Sequence, residues 1–539
     1  MLKLINKYPV ITLILVCVIL FFFNLGKLPI SIMEARNFNV AREMLTENNW
    51  LLTTMNAIPR YEKPPFPAWF TTMFSQFDIK SVFLYRLPTS IVATSGVLFS
   101  YYLFKSLAKT KKIALIASLV LSTSFYYIAI RFEAPSDTYT HAFMIAGLLF
   151  MTKAIQSSTK SLLYSGLAIL GIGISVLSKG PVSLYALFLP FIIAYFIAYS
   201  SSKKAIIISI STLLFGIALG ASWYLYVQFL DPKVLNQIAN EETSNWSSYN
   251  VRPFYYYWSF FIQSGIWSVP ALISLAYPCF KSKVDNKKLY KFSWLWTVLA
   301  VVLLSIIPEK KSRYLVPVLI PLALNLAQVL LYQFRTKKLD IVSRIAMKFH
   351  YVLIFCIGIS VVAIPLIIEV RTTSFWVWYY TLVALMFAIS AVIFFNYSPL
   401  KNKMLFISNI LLIMVVTSVG MKGIQFLKQN DQYSTLETGV LQQSHLYYYK
   451  SIQPETIWES NKVSKPLNFS KKMPAENEFQ VIVEKQNTDE FKQNLPEQYQ
   501  VTSTEVYDRN FFKKANSNKH RARYVSFVFT LKKVEFILE

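Results

Sequence analysis

The sequence predicts an α-helical polytopic membrane protein that ends in a small α/β domain outside the bilayer. Three observations carry that expectation. Of 539 residues 54% are hydrophobic, with 42 Phe, 33 Tyr and 11 Trp and a mean hydropathy of +0.42, which is too apolar for a chain of ordinary soluble domains. The apolar residues fall into roughly thirteen runs of about 17 to 25 residues, the length that a hydrocarbon core demands of a helix. Alternate connections between these runs are basic, as cytoplasmic loops are.

The first run, 8–26, follows a basic start and has no small-residue cleavage site, so it reads as an uncleaved first helix. The others lie at 83–104, 113–130, 134–152, 162–178, 181–199, 205–228, 255–279, 290–307, 314–333, 349–369, 375–395 and 404–420. With the N-terminus inside, the cytoplasmic segments are KTKK (109–112), Lys153 with Lys160, Lys203 with Lys204, KSKVDNKK (281–288), RTKK (335–338) with Arg344 and Lys348, and Lys401 with Lys403. Each is net positive, so number and orientation of the spans agree. Most of the formal charge of +26 is therefore topological, and no nucleic-acid partner is expected. Cys17, Cys279 and Cys356 sit within apolar runs, which supports neither a disulfide framework nor a cysteine zinc site.

Residues 1–420 thus form a transmembrane domain with two long outer loops, 27–82 and 229–254, and such loops are functional or disordered. Residues 421–539 have a water-soluble composition. There EFQVIVEK, TDEFKQNL and RYVSFVFTL read as strand, helix and strand. Gly216 and Gly220 match a small-xxx-small helix-packing pattern.

The informative charges are those that topology does not call for. PEKKSRYLVP puts Lys310, Lys311, Arg313 and Tyr314 at an outer span junction, SKGP holds Lys179 between two apolar runs, and RFEAPSD holds Arg131, Glu133 and Asp137 at a short outer turn. Singly, each reads equally well as an interfacial anchor. Gathered at one membrane face, they describe a basic cavity with a few carboxylates where a lipid phosphate would lie. In EARNFNVAREML, Phe38, Ala41, Met44 and Leu45 recur at helical spacing, so one face of that helix can lie on the membrane, with Glu34 near its start. In YEKPPFP, Pro64 and Pro65 keep Glu62 and Lys63 extended, able to point into a cavity.

The order MEARNFNVAREML, NAIPRYEKPPFPAW, LYRLPT, SKGP, RPFYYYW and RYLVPVLIPLAL resembles the bacterial GT-C glycosyltransferases of the aminoarabinose-transferase type, related to the protein O-mannosyltransferases. The resemblance implies thirteen spans with a small periplasmic domain, and a transferase that takes its sugar from a polyprenyl-phosphate donor at the periplasmic face of the bacterial inner membrane. By matching position, it implies that Lys63 contacts the donor phosphate, that Glu62 stands at the family's metal-site glutamate, that Asp137 is the second acid and that Tyr314 touches the carrier phosphate. Met33 stands where the family has its catalytic aspartate, next to Glu34, Ala35 and Arg36. Asn250, two residues before Arg252, stands where a histidine is common. Glu34 and Asp137 are then the catalytic carboxylates, and Lys63, Lys310, Lys311, Arg313 and Tyr314 the donor-phosphate ligands. Arg36, Glu62, Arg131, Lys179, Asn250 and Arg252 line the site. No cofactor is evidently required. A divalent metal at Glu62 lacks its histidine partner.

A polyprenyl-phosphate sugar carries its own leaving group, so cations aimed at the phosphate lower the barrier by preorganised electrostatics, and a carboxylate can act as base toward an acceptor hydroxyl. Direct displacement inverts the anomeric centre, and no second carboxylate signals a retaining route. The acceptor is a lipid, a glycan or a protein, the chain is expected to act as a monomer among membrane lipids, and the sugar stays open. A transporter or flippase of lipid-linked sugars, an oligosaccharide ligase or polymerase, and a catalytically silent relative are the competing readings. The first lacks the paired halves usual in transporters.

Overall fold

A computed structural model of the chain describes residues 6–534 except 134, 200–201, 337–338, 369–371, 395–400, 437–444, 470–472 and 514–516. The described chain divides into two compact units, one of residues 1–27 and 61–422 and the other of 28–60 and 423–539.

The larger unit is helical, and helix lies in every one of the thirteen apolar runs. Among the described residues eight helices are long and apolar enough to cross a bilayer, and a ninth span arises if Lys111–Ser122 and Phe125–Glu133, bent by 50° against each other, count as one. Pro9–Phe22 and Leu184–Tyr199 are shorter apolar helices. Pro135–Gln156 is more polar, with Ser136, Asp137, Thr138, Thr140 and His141 in its first turns, yet it is buried over most of its length. It can be, because Ser161–Lys179 and Val82–Ala108 pack along it. Gly220 shows how closely helices approach here: a Cβ on it would lie 2.3 Å from Val176 Cβ.

The run 255–279, expected as one continuous span, is broken. A 3₁₀ stretch, Phe254–Trp267, leads into the helices Ser268–Ser274 and Tyr277–Phe280. The break is at Gly265, whose φ of 66° suits glycine and whose missing side chain leaves room for Phe125, since a Cβ there would meet the Phe125 Cβ at 2.7 Å.

The smaller unit is built on a five-stranded mixed sheet in the order β4-β3-β5-β7-β6, with β3 Leu446–Tyr449, β4 Lys465–Leu467, β5 Glu478–Glu484, β6 Tyr499–Asp508 and β7 Val525–Lys533. β3 pairs in parallel with β4 and β5, and β7 runs antiparallel to β5 and β6. The short helix Thr488–Gln493 follows β5 and packs Phe491 beneath Phe479, Val481, Phe529 and Leu531. The strand, helix and strand read from the sequence are β5, this helix and β7.

The first outer loop is divided differently from the expected boundary at 420. Its helix Ile32–Thr46 and the two-stranded hairpin β1 Thr54–Met55 and β2 Ile58–Pro59 belong to the sheet unit. The face carrying Phe38, Ala41 and Met44, expected on the membrane, is buried within this unit, with Phe38 edge-on to Trp458 at 5.4 Å between ring centroids. Polar anchors decide the docking. Arg42 donates to the carbonyls of Ile457 and Trp458 and to Asn461 Oδ1, and Asn39 Nδ2 donates to the Pro454 carbonyl. Glu43 accepts from Thr54 Oγ1 and from the backbone N–H groups of Asn56 and Ala57, which ties the hairpin to the helix.

Candidate functional site

The site forms in the helical unit where two helix ends meet. Pro135 opens one helix, a position where its missing N–H costs nothing, and puts Asp137 in the first turn, where the helix dipole favours a carboxylate. Ser161–Lys179 ends at Gly180, which has φ 72°, so Lys179 lies in a last turn, where a cation is favoured. The two side chains form an ion pair, with Asp137 2% and Lys179 10% exposed. The Lys179 Nζ also stands 5.1 Å from the centre of the Tyr314 ring.

Tyr314 gathers two further cations, Lys311 Nζ at 5.8 Å and the Arg313 guanidinium at 5.7 Å from its ring centre. Lys311 pairs with Glu309 and lies 4.9 Å from the Tyr249 ring. Tyr257 fixes the backbone beneath it, because its hydroxyl accepts from the Lys311 N–H at 2.9 Å and donates to the Lys311 carbonyl at 3.1 Å. Lys63 is half-buried and close enough for its charge to act on Asp137, while the charges of Arg313 and Lys311 act on Lys179. The proline-held segment is moored by Tyr61, whose hydroxyl donates to Asp231 at 3.2 Å. Burial and then the Asp231 carboxylate push that phenol up to about 12.

Of the residues expected in the site, Asp137, Lys179, Lys63, Lys311, Arg313 and Tyr314 thus come together. Lys310 has a different task from the phosphate contact expected of it. It is 4% exposed, and its ammonium is turned onto the backbone carbonyls of Arg252 and Ile307 at 3.1 and 2.6 Å. Asn250 and Arg252 contribute backbone: the Lys310 N–H reaches the Asn250 carbonyl, the Arg252 N–H the Pro308 carbonyl, and Asn250 has φ 52°. The result is a lace between the two outer segments that holds Lys311 in position. Arg131 is buried and clamps the end of the first span through the carbonyls of Leu20 and Phe21. Glu34 and Arg36 belong to the sheet unit. There Glu34, 1% exposed, closes a capping box with Ser31 at 3.0 and 3.2 Å, and Arg36 Nη1 reaches Met33 Sδ at 4.0 Å.

Glu62 is exposed, and among the described residues no three His, Cys, Asp or Glu side chains gather in a way that could hold a metal ion. The donor set at Glu62 does not fit a divalent ion bound by the protein alone, which needs several such ligands.

Comparison with known proteins agrees with this frame. A family model described as dolichyl-phosphate-mannose-protein mannosyltransferase matches residues 62–226, a range that contains Lys63, Asp137 and Lys179. The crystal structure of ArnT from Cupriavidus metallidurans bound to undecaprenyl phosphate superposes with a TM-score of 0.68 over 97% of this chain and 98% of that one, at 14% identity. The chain resembles the GT-C glycosyltransferases of the aminoarabinose-transferase and protein O-mannosyltransferase type. Undecaprenyl phosphate-alpha-4-amino-4-deoxy-L-arabinose arabinosyl transferases of Pectobacterium atrosepticum and Erwinia tasmaniensis are 25% and 22% identical over 309 and 301 residues, covering 54% of this chain and 54% of each relative. The chain spans about half the length of these curated relatives.

Within the GT-C frame, three residues escaped the reading of the sequence. His141 lies one turn beyond Asp137, within electrostatic reach of its carboxylate, and shares a hydrogen bond of 2.8 Å between Nδ1 and Ser183 Oγ. Its spacing of four from Asp137 was the available signal. Tyr126 donates to Glu133 at 2.6 Å, with Asp137 and Arg313 both within electrostatic reach. Glu309 balances Lys311. No short motif marks a tyrosine or a glutamate of this kind.

Proposed function

We propose that the chain is a multi-pass inner-membrane glycosyltransferase that moves a sugar from a polyprenyl-phosphate donor to an acceptor on the periplasmic side. The observation that carries this reading is one group: a buried Asp137–Lys179 pair beneath a tyrosine ring that Lys311 and Arg313 flank, with the Lys63 charge in range. The resemblance to proteins that use undecaprenyl phosphate supports the donor class.

In the reaction, the bond between the anomeric carbon and the phosphate oxygen breaks while the acceptor oxygen bonds to the same carbon from the opposite face. The leaving polyprenyl phosphate gains charge, and Lys63, Lys311 and Arg313 meet it with the Tyr314 hydroxyl as a further donor. A good preorganised donor of this kind contributes about 3 kcal/mol. Asp137 accepts the acceptor's proton, worth about 100- to 10,000-fold. Lys179, paired with its carboxylate, holds it in place until then. Glu34, engaged in the capping box of its own helix, is the weaker candidate for the base. Displacement in one step inverts the anomeric centre.

The test is transfer of a radiolabelled pentose, hexose or aminosugar from polyprenyl phosphate in membranes that contain the protein, with envelope lipids, glycans and proteins analysed by mass spectrometry. Loss of transfer in Lys63→Ala and Asp137→Asn, with both variants still folded, is the expected result. Unchanged transfer in both would overturn the assignment and favour a silent relative.

A further inference from the structure

At the other end of the helical unit lies a cavity of about 840 Å³ that the transfer reaction does not use. Its walls include Lys111, Lys112, Lys287, Lys288, Arg335 and Asp285. Two helices fix how far it is from the site. Lys109, at the end of Val82–Ala108, donates to Gln156 at the last residue of Pro135–Gln156, and Asp137 is at the first turn of that same 22-residue helix. At 1.5 Å per residue the two ends are about 30 Å apart. The helix Leu319–Arg335 likewise begins just beyond Tyr314 and ends at Arg335 on the cavity wall.

The cavity has the chemistry of an anion site. Arg335 and Asp285 pair with each other, which leaves the four lysines uncompensated by the acids of the wall. Lys111 and Lys112 open the helix Lys111–Ser122, whose preceding Thr110 makes no side-chain cap and whose first turn has no acid. Its first N–H groups therefore lack the side-chain cap partner that such ends usually find, and they add positive potential to that of the lysines. A second helix, Lys287–Ile306, begins on the same wall, also without an acid in its first turn. Beside these groups stand Pro9, Ala108, Ile113, Leu115 and Leu331, side chains largely buried yet on the cavity wall, which offer a narrow apolar edge to the first carbons of an acyl chain. Lys203 and Lys204 stand at a helix start equally exposed to solvent, so they are the control for lysines that serve topology.

We propose that this cavity binds a phosphate group, carried by an anionic phospholipid whose headgroup meets Lys111, Lys112, Lys287 and Lys288 while its glycerol and first acyl carbons lie on the apolar edge. Basic pockets between transmembrane helices bind anionic headgroups in this manner.

The experiment uses the delipidated full-length protein in a neutral detergent, with thermal unfolding and native mass spectrometry as readouts and three probes: short-chain phosphatidylglycerol, short-chain phosphatidylcholine and inorganic phosphate. The variants are Lys111→Gln with Lys287→Gln, and Lys203→Gln with Lys204→Gln as the control at the exposed start. Phosphatidylglycerol should stabilise the wild type and the control and remain bound in the gas phase, with affinity down about tenfold or more in the cavity variant. That result, with no response to inorganic phosphate, supports the lipid source. A response to inorganic phosphate that the cavity variant loses supports the anion site with a soluble source. Equal retention of phosphatidylglycerol in all three proteins, or equal response to phosphatidylcholine, overturns the proposal. Lys111→Arg with Lys287→Arg should restore binding, which separates loss of charge from loss of fold.

Discussion

Lys179 and Asp137 close an ion pair across two helix ends, the cation in a last turn and the carboxylate in a first turn, both screened from solvent. Each helix end favours the charge it holds, and each charge supplies the partner that burial makes necessary.

Removing one partner leaves an unpaired buried charge, which costs roughly 3 to 5 kcal/mol. Asp137→Asn and Lys179→Met should therefore each lower the unfolding temperature, and the double variant should recover most of that loss. Transfer should behave differently, falling about 100-fold or more in both Asp137 variants because the base is absent. A double variant that is stable and still transfers sugar at the wild-type rate would exclude Asp137 as base.

Neighbouring cations should separate by task. Lys311→Gln and Arg313→Gln remove charges that stand around Tyr314, and each should weaken donor use roughly ten- to hundredfold. Lys311→Gln should also lower the melting temperature, because it strands the buried Glu309 carboxylate, whereas Arg313→Gln should change melting little. Lys310→Met should do the reverse, since its ammonium holds the Arg252 and Ile307 carbonyls. Melting temperature and the KM for the donor, measured on the same preparations, distinguish the two patterns.

Much of this was legible in the sequence, because its signals are local. Apolar length and basic loops depend on residues a few positions apart, and helix lies in each of the thirteen runs. Charges stranded at span ends named Asp137, Lys179, Lys311 and Arg313, since an ionisable group at such a boundary demands a partner. What was not legible depends on distant partners. Nothing near Lys310 says that its ammonium faces backbone carbonyls. The apolar stripe of Phe38, Ala41 and Met44 fits a membrane or a protein surface equally well, and only Trp458, some four hundred residues on, decides between them. At the break the constraint is likewise distant, since a side chain on Gly265 would meet Phe125.

That long-range docking gives a third prediction. Arg42 is buried and donates to two carbonyls and to Asn461, so Arg42→Met strands acceptors in an interior. Losing a buried acceptor's partner costs about 1 to 3 kcal/mol per group. Hydrogen exchange in peptides covering 32–46 and 454–460 should accelerate together in the variant. Faster exchange in only one of them would separate the helix Ile32–Thr46 from the sheet unit.

The sheet unit should also have an acid-sensitive latch. Burial by itself raises the Asp508 carboxyl, but hydrogen bonds from His520, Asn510 and Asn430 outweigh it and hold the group below the usual aspartate range. A carboxyl depressed in the folded state contributes stability that is complete above its unfolded pKa and is lost as pH falls through the folded one. Between about pH 5 and pH 3 the unfolded chain takes up the proton first, so stability declines on acidification. Asp508→Asn removes the titrating group, so this unit should start out less stable at neutral pH and lose less on the way down. Pepsin digestion of both proteins at matched pH, followed by mass spectrometry of fragments from 499–533, measures the difference, and the protease's own pH profile cancels in the comparison. Parallel acid profiles for the two proteins would mean that another carboxylate governs the transition.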